Sequence, residues 1–190
     1  MRLFAAVLPP PAAVDELATQ VAALKRLPDA DTLRWTGHDG WHFTLAFMGE
    51  VGDEVVPDLF ARLGRAAHRT APFGLRLHQG GRFGRRALWV GAAGGIETMR
   101  LLAERADAAA RRAGVGMEEH RRYQAHLTLA RTREPATDLR PYVDALGAFE
   151  GTPWQVGELA LVRSNLPVSG VPGEQPRYEV AGSWPLGGAG

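Results

Sequence analysis

The chain of 190 residues contains no cysteine. Disulfides, thiol nucleophiles and cysteine-ligated zinc are thereby excluded. Lysine is almost as scarce: Lys25 stands alone against 21 arginines. Neither sign of charge is in excess, since 22 basic and 21 acidic residues leave a formal net charge of +1. No global field therefore draws the chain to nucleic acid, and any RNA contact must come from a local arginine patch. Long apolar runs are missing too. The stretch Met1–Leu8 ends at the three prolines Pro9–Pro11. It is too short for a secretory signal or a membrane span and reads as a first buried strand. A cytoplasmic protein without a membrane partner is expected.

Several catalytic signatures are absent as well. No Gly-x-Ser-x-Gly elbow announces a serine hydrolase. No Gly-x-x-x-x-Gly-Lys-Ser/Thr loop announces a nucleotide phosphate cradle. Neither His-x-His nor His-Glu-x-x-His occurs, which lowers the case for a metal site.

What is present is ordinary globular material, 45% hydrophobic and 23% charged, carrying one unusual feature. The phrase His-Φ-Thr-Leu-Ala, with Φ a large apolar residue, occurs twice. It appears as His42-Phe43-Thr44-Leu45-Ala46 and as His126-Leu127-Thr128-Leu129-Ala130, the histidines lying 84 residues apart. A lone strand histidine is usually structural. A second histidine carrying the same Thr-Leu-Ala by chance is an event on the order of once in a few thousand. Both copies read as strands, over about 41–47 and 125–131, the first stopped by Gly49. Alternation puts His42 with Thr44, and His126 with Thr128, on one face, with the apolar residues behind.

The rest of the chain reads as a strand over 2–8, then a helix begun by Pro9–Pro11. Asp15 and Glu16 fall in its first turn, and Val14, Leu17, Val21 and Leu24 form its stripe. A short strand covers 33–35. Helices follow over 54–70, 96–113 and 139–149. Paired strands, 74–79 and 87–91, flank the loop Gly80–Gly84, and strands over 154–163 and 178–184 close the chain. The mixed order predicts an α+β fold. Each phrase is followed by a helix, which predicts two similar lobes. One His-Thr strand from each would face a shared cleft within a single bilobal domain, 1–190.

Two histidines and two threonines suit phosphoester chemistry. A neutral imidazole takes a proton from the nucleophile, and a protonated one gives a proton to the leaving oxygen. Threonine hydroxyls can hold non-bridging phosphate oxygens. A 2′,3′-cyclic phosphate fits such a site, since its ring is strained and its leaving alkoxide needs an acid. Arg131 could add stabilising charge, though strict alternation points it away from Thr128, so a bend is needed. Other candidates for RNA contact are Arg82, Arg85, Arg86, Arg121 and Arg122, with Trp35, Phe47 and Phe83 as stacking rings.

The chain resembles the two-histidine phosphoesterases, and within them the bacterial and archaeal RNA 2′,3′-cyclic phosphodiesterases first described as 2′–5′ RNA ligases. The resemblance runs through Met1–Ala6, Arg34-Trp35, Trp41–Val51, His126–Arg131, Leu161–Ser164 and Tyr178. Ala125 stands where many members have proline. The resemblance implies hydrolysis of RNA or nucleotide 2′,3′-cyclic phosphate ends to 2′-phosphate ends. It makes His42 the proton donor and His126 the proton acceptor. Thr44 and Thr128 would position the phosphate, and Arg131 would contact it. It implies a fold of two pseudo-symmetric lobes, each with an antiparallel sheet and flanking helices, and a reverse 2′–5′ ligation; no metal, no other cofactor and a monomer are expected. Alternatives are a phosphodiesterase for another small nucleotide and a non-catalytic RNA-end or nucleotide-binding module.

Overall fold

A computed structural model describes residues 1–119 and 121–188. The described chain folds into two antiparallel sheets flanked by helices, the expected α+β arrangement. The first sheet has the order β3-β1-β8-β9, built from β1 (Arg2–Val7), β3 (Phe43–Glu50), β8 (Glu158–Asn165) and β9 (Arg177–Pro185). The second has the order β2-β6-β5-β4-β7. Its members are β2 (Arg34–Trp35), β4 (Phe73–Phe83), β5 (Ala87–Gly94), β6 (Leu127–Arg131) and β7 (Trp154–Val156).

Alternation divides β1 between two environments. Leu3, Ala5 and Val7 enter the main core, while Phe4 and Ala6 join Ala160, Val162 and the half-buried Tyr178 on the opposite face. Helices cover only the first face. Helix α2 (Val56–His68) lies on β9, and α3 (Ile96–Arg112) lies on β3 and α2. Helix α1 (Pro11–Leu24) reaches the second sheet instead. Its Glu16 carboxylate accepts hydrogen bonds from the backbone N–H and hydroxyl of Thr152, each at 2.9 Å, just ahead of β7. Helix α4 (Arg140–Ala145) packs on β4, and its Tyr142 hydroxyl donates to the Pro28 carbonyl beyond α1 at 2.8 Å. Thus α1 leaves a strand of one sheet to reach the other, and α3 does the reverse.

Several expectations need correction. In α1, Ala13 is buried beside the half-buried Val14, which packs against the core as expected, while Asp15 and Glu16 fall beyond the first turn. The β3 strand does not stop at Gly49. Gly49 takes φ +64°, open to glycine at little cost, and Met48 is left without a partner as a bulge, so the strand runs to Glu50. Gly80–Phe83 is strand rather than loop, and the turn is confined to the residues between Phe83 and Ala87. Helix α4 spans six residues only. The stretch read as one strand over 154–163 is two, interrupted at Gly157 and shared between the sheets.

Candidate active site

The two copies of the repeated phrase adopt the same local structure. Each histidine lies one residue before its strand begins. Burial runs in the same sequence through both copies and one residue beyond: half-buried, buried, half-buried, buried, buried, exposed. Phe43 and Leu127 are fully buried and anchor the strand starts. Thr44 and Thr128 stand half-buried on the same side as the histidines, and their hydroxyls have no hydrogen-bond partner among the described residues.

The leucine of each phrase is a bulge. In β3, Thr44 pairs with Ala6 and Ala46 with Ala5, so Leu45 is the extra residue. In β6, Thr128 pairs with Trp89 and Ala130 with Leu88, so Leu129 is the extra residue. A bulge resets the alternation. Leucine and alanine both turn inward, and the next residue emerges on the threonine side. That residue is Phe47 in the first copy and Arg131 in the second. The bend that Arg131 requires is therefore built into the phrase.

Both imidazoles are held alike. His42 Nδ1 lies 2.7 Å from the Gly40 carbonyl, and His126 Nδ1 lies 2.9 Å from the Gln124 carbonyl, two residues back in each case. A carbonyl can only accept, so Nδ1 carries the proton and Nε2 is left free for chemistry. Rings fix the planes. His42 stacks on Phe4 at 4.5 Å between centroids and meets Tyr178 edge-on at 5.5 Å. His126 meets Phe83 edge-on at 4.7 Å and Trp89 at 6.2 Å.

The environment depresses the basicity of both. Burial is the main cause for His42, opposed by its carbonyl bond and reinforced by the charge of His126. Burial again leads for His126, opposed by its own carbonyl bond and reinforced by the Arg131 cation. Arg131 also acts on the Tyr178 hydroxyl, whose pKa is raised mainly by burial. His42, His126, Arg131 and Tyr178 thus share one electrostatic neighbourhood, drawn from both sheets.

The three ring candidates are otherwise engaged or not joined to the histidine pair as stacking surfaces. Trp35 is tied down: its Nε1–H donates to the Ala30 carbonyl at 2.9 Å, and Lys25 lies over its ring. Phe83 supports His126 instead of standing free. Phe47 is 48% exposed, with the Arg2 guanidinium 5.0 Å from its ring centre. Sequence reasoning missed the ring supports Phe4 and Trp89, and gave Tyr178 no role. No local signal marked them, since they lie on other strands than the histidines. Among the described residues no group of three or more His, Cys, Asp or Glu side chains could hold a metal ion, and no helix is long and apolar enough to cross a membrane.

This arrangement has relatives. An RNA 2′,3′-cyclic phosphodiesterase of Thermus thermophilus is 34% identical over 160 residues, covering 77% of this chain and 72% of that one. Another of that name, from Geobacillus stearothermophilus, is 29% identical over 160 residues, covering 82% of this chain. The match spans about half, 48%, of the Geobacillus protein. Among solved structures, E. coli LigT in its apo form superposes with a TM-score of 0.76 at 28% identity, covering 97% of this chain and 96% of that one. TT0787 of Thermus thermophilus gives 0.72 at 30% identity, covering 99% of each. The family described as the 2′-5′ RNA ligase superfamily matches residues 10–166, a span holding both His-Thr phrases, both bulges and Arg131. The chain belongs to the 2′-5′ RNA ligase superfamily.

Proposed function

We propose that this chain hydrolyses RNA or nucleotide 2′,3′-cyclic phosphate ends to 2′-phosphate ends by acid–base catalysis between His42 and His126. The observation that carries the reading is the matched pair of imidazoles, each with Nδ1 on a backbone carbonyl and Nε2 free. Two relatives that carry the name RNA 2′,3′-cyclic phosphodiesterase support the substrate class.

Arg131 separates the roles. Its cation disfavours a proton on His126, so His126 is the base. The charge that opposes protonation of His42 comes from His126, and it vanishes when His126 is neutral. The Arg131 charge thus supports a proton on His42 and none on His126, the division that the family resemblance implies. Water attacks phosphorus while its proton passes to His126 Nε2. The P–O3′ bond breaks as His42 Nε2–H protonates O3′, and the phosphate stays on O2′. Thr44 and Thr128 hold the non-bridging oxygens, and Arg131 stabilises the charge of the pentavalent state.

The steps require no metal or other cofactor. For 2′–5′ ligation a 5′-hydroxyl takes the place of water as the nucleophile, and the same bond cleavage leaves a 2′–5′ linkage. We read residues 1–190 as one bilobal domain, acting as a cytoplasmic monomer. Incubation with RNA ending in 2′,3′-cyclic phosphate, followed by identification of the phosphate isomer, tests the reading. A 2′-phosphate end is expected. A 3′-phosphate end, or an unreacted ring, overturns it.

A further inference from the structure

Arginine is abundant throughout this chain, and several arginines are neutralised by a neighbouring carboxylate. Arg76 pairs with Glu150, Arg100 with Glu97 and Glu104, Arg111 with Asp107, and Arg140 with Asp138. The groove between α2 and α3 is different. Arg62, Arg65, Arg69, Arg105 and Arg112, with His68, line a cavity of about 310 Å³ that no carboxylate lines. Arg62 alone has a carboxylate partner, Asp58 at 2.7 Å. Arg65, Arg69 and Arg112 are exposed and have no side-chain partner among the described residues. A protein of net charge +1 thus concentrates four uncompensated arginines in one concavity.

The helix dipole accounts for part of this. Arg65 and Arg112 stand in the last turns of their helices, where cations are favoured. It does not account for Arg105, which lies well inside α3 and is held in place. Its Nη1 donates to the Arg69 carbonyl at 2.7 Å and to Thr70 Oγ1 at 2.9 Å. Thr70 is buried, 1% exposed, and donates in turn to the Ala66 carbonyl. One edge of the guanidinium is therefore fixed from behind, and its other N–H groups remain unpaired among the described residues. A fixed fork surrounded by free cations is what a phosphate with several oxygens requires.

We propose that the α2–α3 groove is a second phosphate-binding site, separate from the histidine cleft. It lies on the helix-covered side of the first sheet, whereas Phe4 and the His42 ring stacked on it lie on the other side. The ligand class is a phosphate-bearing polyanion. Its source is either the backbone of the same RNA beyond its cyclic end or a free diphosphate.

Titration calorimetry with inorganic pyrophosphate at low salt tests this on the full chain, without reference to turnover. The cleft double variant His42→Ala/His126→Ala should still bind pyrophosphate. The groove variant Arg65→Gln/Arg69→Gln/Arg112→Gln, in that background, should bind at least about tenfold more weakly, as expected from losing charge-assisted bonds. Equal affinity with and without the groove substitutions, or no binding to the cleft variant, overturns the proposal. Thr70→Val, which frees Arg105 without altering charge, should weaken binding by a smaller factor. The two sources are told apart by kcat/KM of the groove variant in the wild-type cleft background. Loss on cyclic-ended RNA but not on a nucleoside 2′,3′-cyclic phosphate identifies the RNA backbone. Loss on neither identifies the free anion. Both keep the site, and both remain distinct from failure of the hydrolytic reading, which would leave no turnover on either substrate.

Discussion

Phe47 and Arg131 occupy equivalent positions: each is the first exposed residue after the bulged leucine of its phrase. The pair marks where the two-fold likeness of the site ends. At that position the first copy carries an aromatic ring and the second a positive charge. A symmetric pair of histidines could not divide acid from base, and this difference can.

The charge of Arg131 should be readable in the pH profile. The proposed scheme needs His126 neutral and His42 protonated, and both titrate below the ordinary histidine value. The bell of kcat/KM is therefore expected to peak on the acid side of about 6.5. Arg131→Ala removes a cation that holds His126 down, so the acid limb moves to higher pH while kcat falls about 10²–10³-fold. Arg131→Lys should keep the limb in place. An acid limb that stays put in Arg131→Ala contradicts the assignment of His126 as base.

Each histidine should be indispensable on its own. His42→Ala and His126→Ala are each expected to lower kcat on a nucleoside 2′,3′-cyclic phosphate by about 10²–10⁴-fold with circular dichroism unchanged. Wild-type turnover should persist in excess EDTA. Inactivation by EDTA with recovery on zinc would defeat the metal-free scheme.

Tyr178 is expected to act through its ring. The ring lies edge-on to His42 and against Gly40, where an added Cβ would come 3.0 Å from it. Tyr178→Phe should keep kcat within a few-fold, and Tyr178→Leu should lower it more. Equal losses in both variants would instead implicate the hydroxyl.

Gly81 is expected to tolerate no side chain. It faces Trp89 across the β4–β5 pair, and an added Cβ would lie 2.3 Å from the indole ring. Gly81→Ala must displace a ring that supports His126, at a stability cost of about 1–3 kcal/mol. A drop in kcat should accompany a shift in tryptophan emission. Combining it with Trp89→Leu should restore much of the stability but not the activity.

The α+β class and the two His-Thr strands were legible because a period of two residues survives in the local sequence. The bulges were not, since a bulge is a property of pairing and both partners, β1 and β5, are distant in the chain. Arg131 illustrates the difference: alternation alone turned it away from the site, and one unpaired leucine turns it back. Helix α4 was overestimated because Leu139 and Leu146, both buried, flank a helix shorter than the stripe they suggest. The break at Gly157 was missed because strand sequence continues on both sides while the strand changes sheets. The ring supports lie on neighbouring strands, and no spacing in the sequence pairs Phe4 with His42.

The crossing of helices between sheets bears on how the molecule comes into being. Strand β1 leaves the ribosome more than 150 residues ahead of β8, yet β8 is one of its two neighbours. The face carrying Phe4 lacks Val162 and Tyr178 until that late stretch has been synthesised. A nascent chain halted after Val156 would hold both histidines, both threonines and Arg131, but would lack the flank of the sheet that sets the plane of His42. On the proposed scheme, competence for catalysis should therefore arrive with β8 and β9 rather than with Arg131, the last of the proposed site residues.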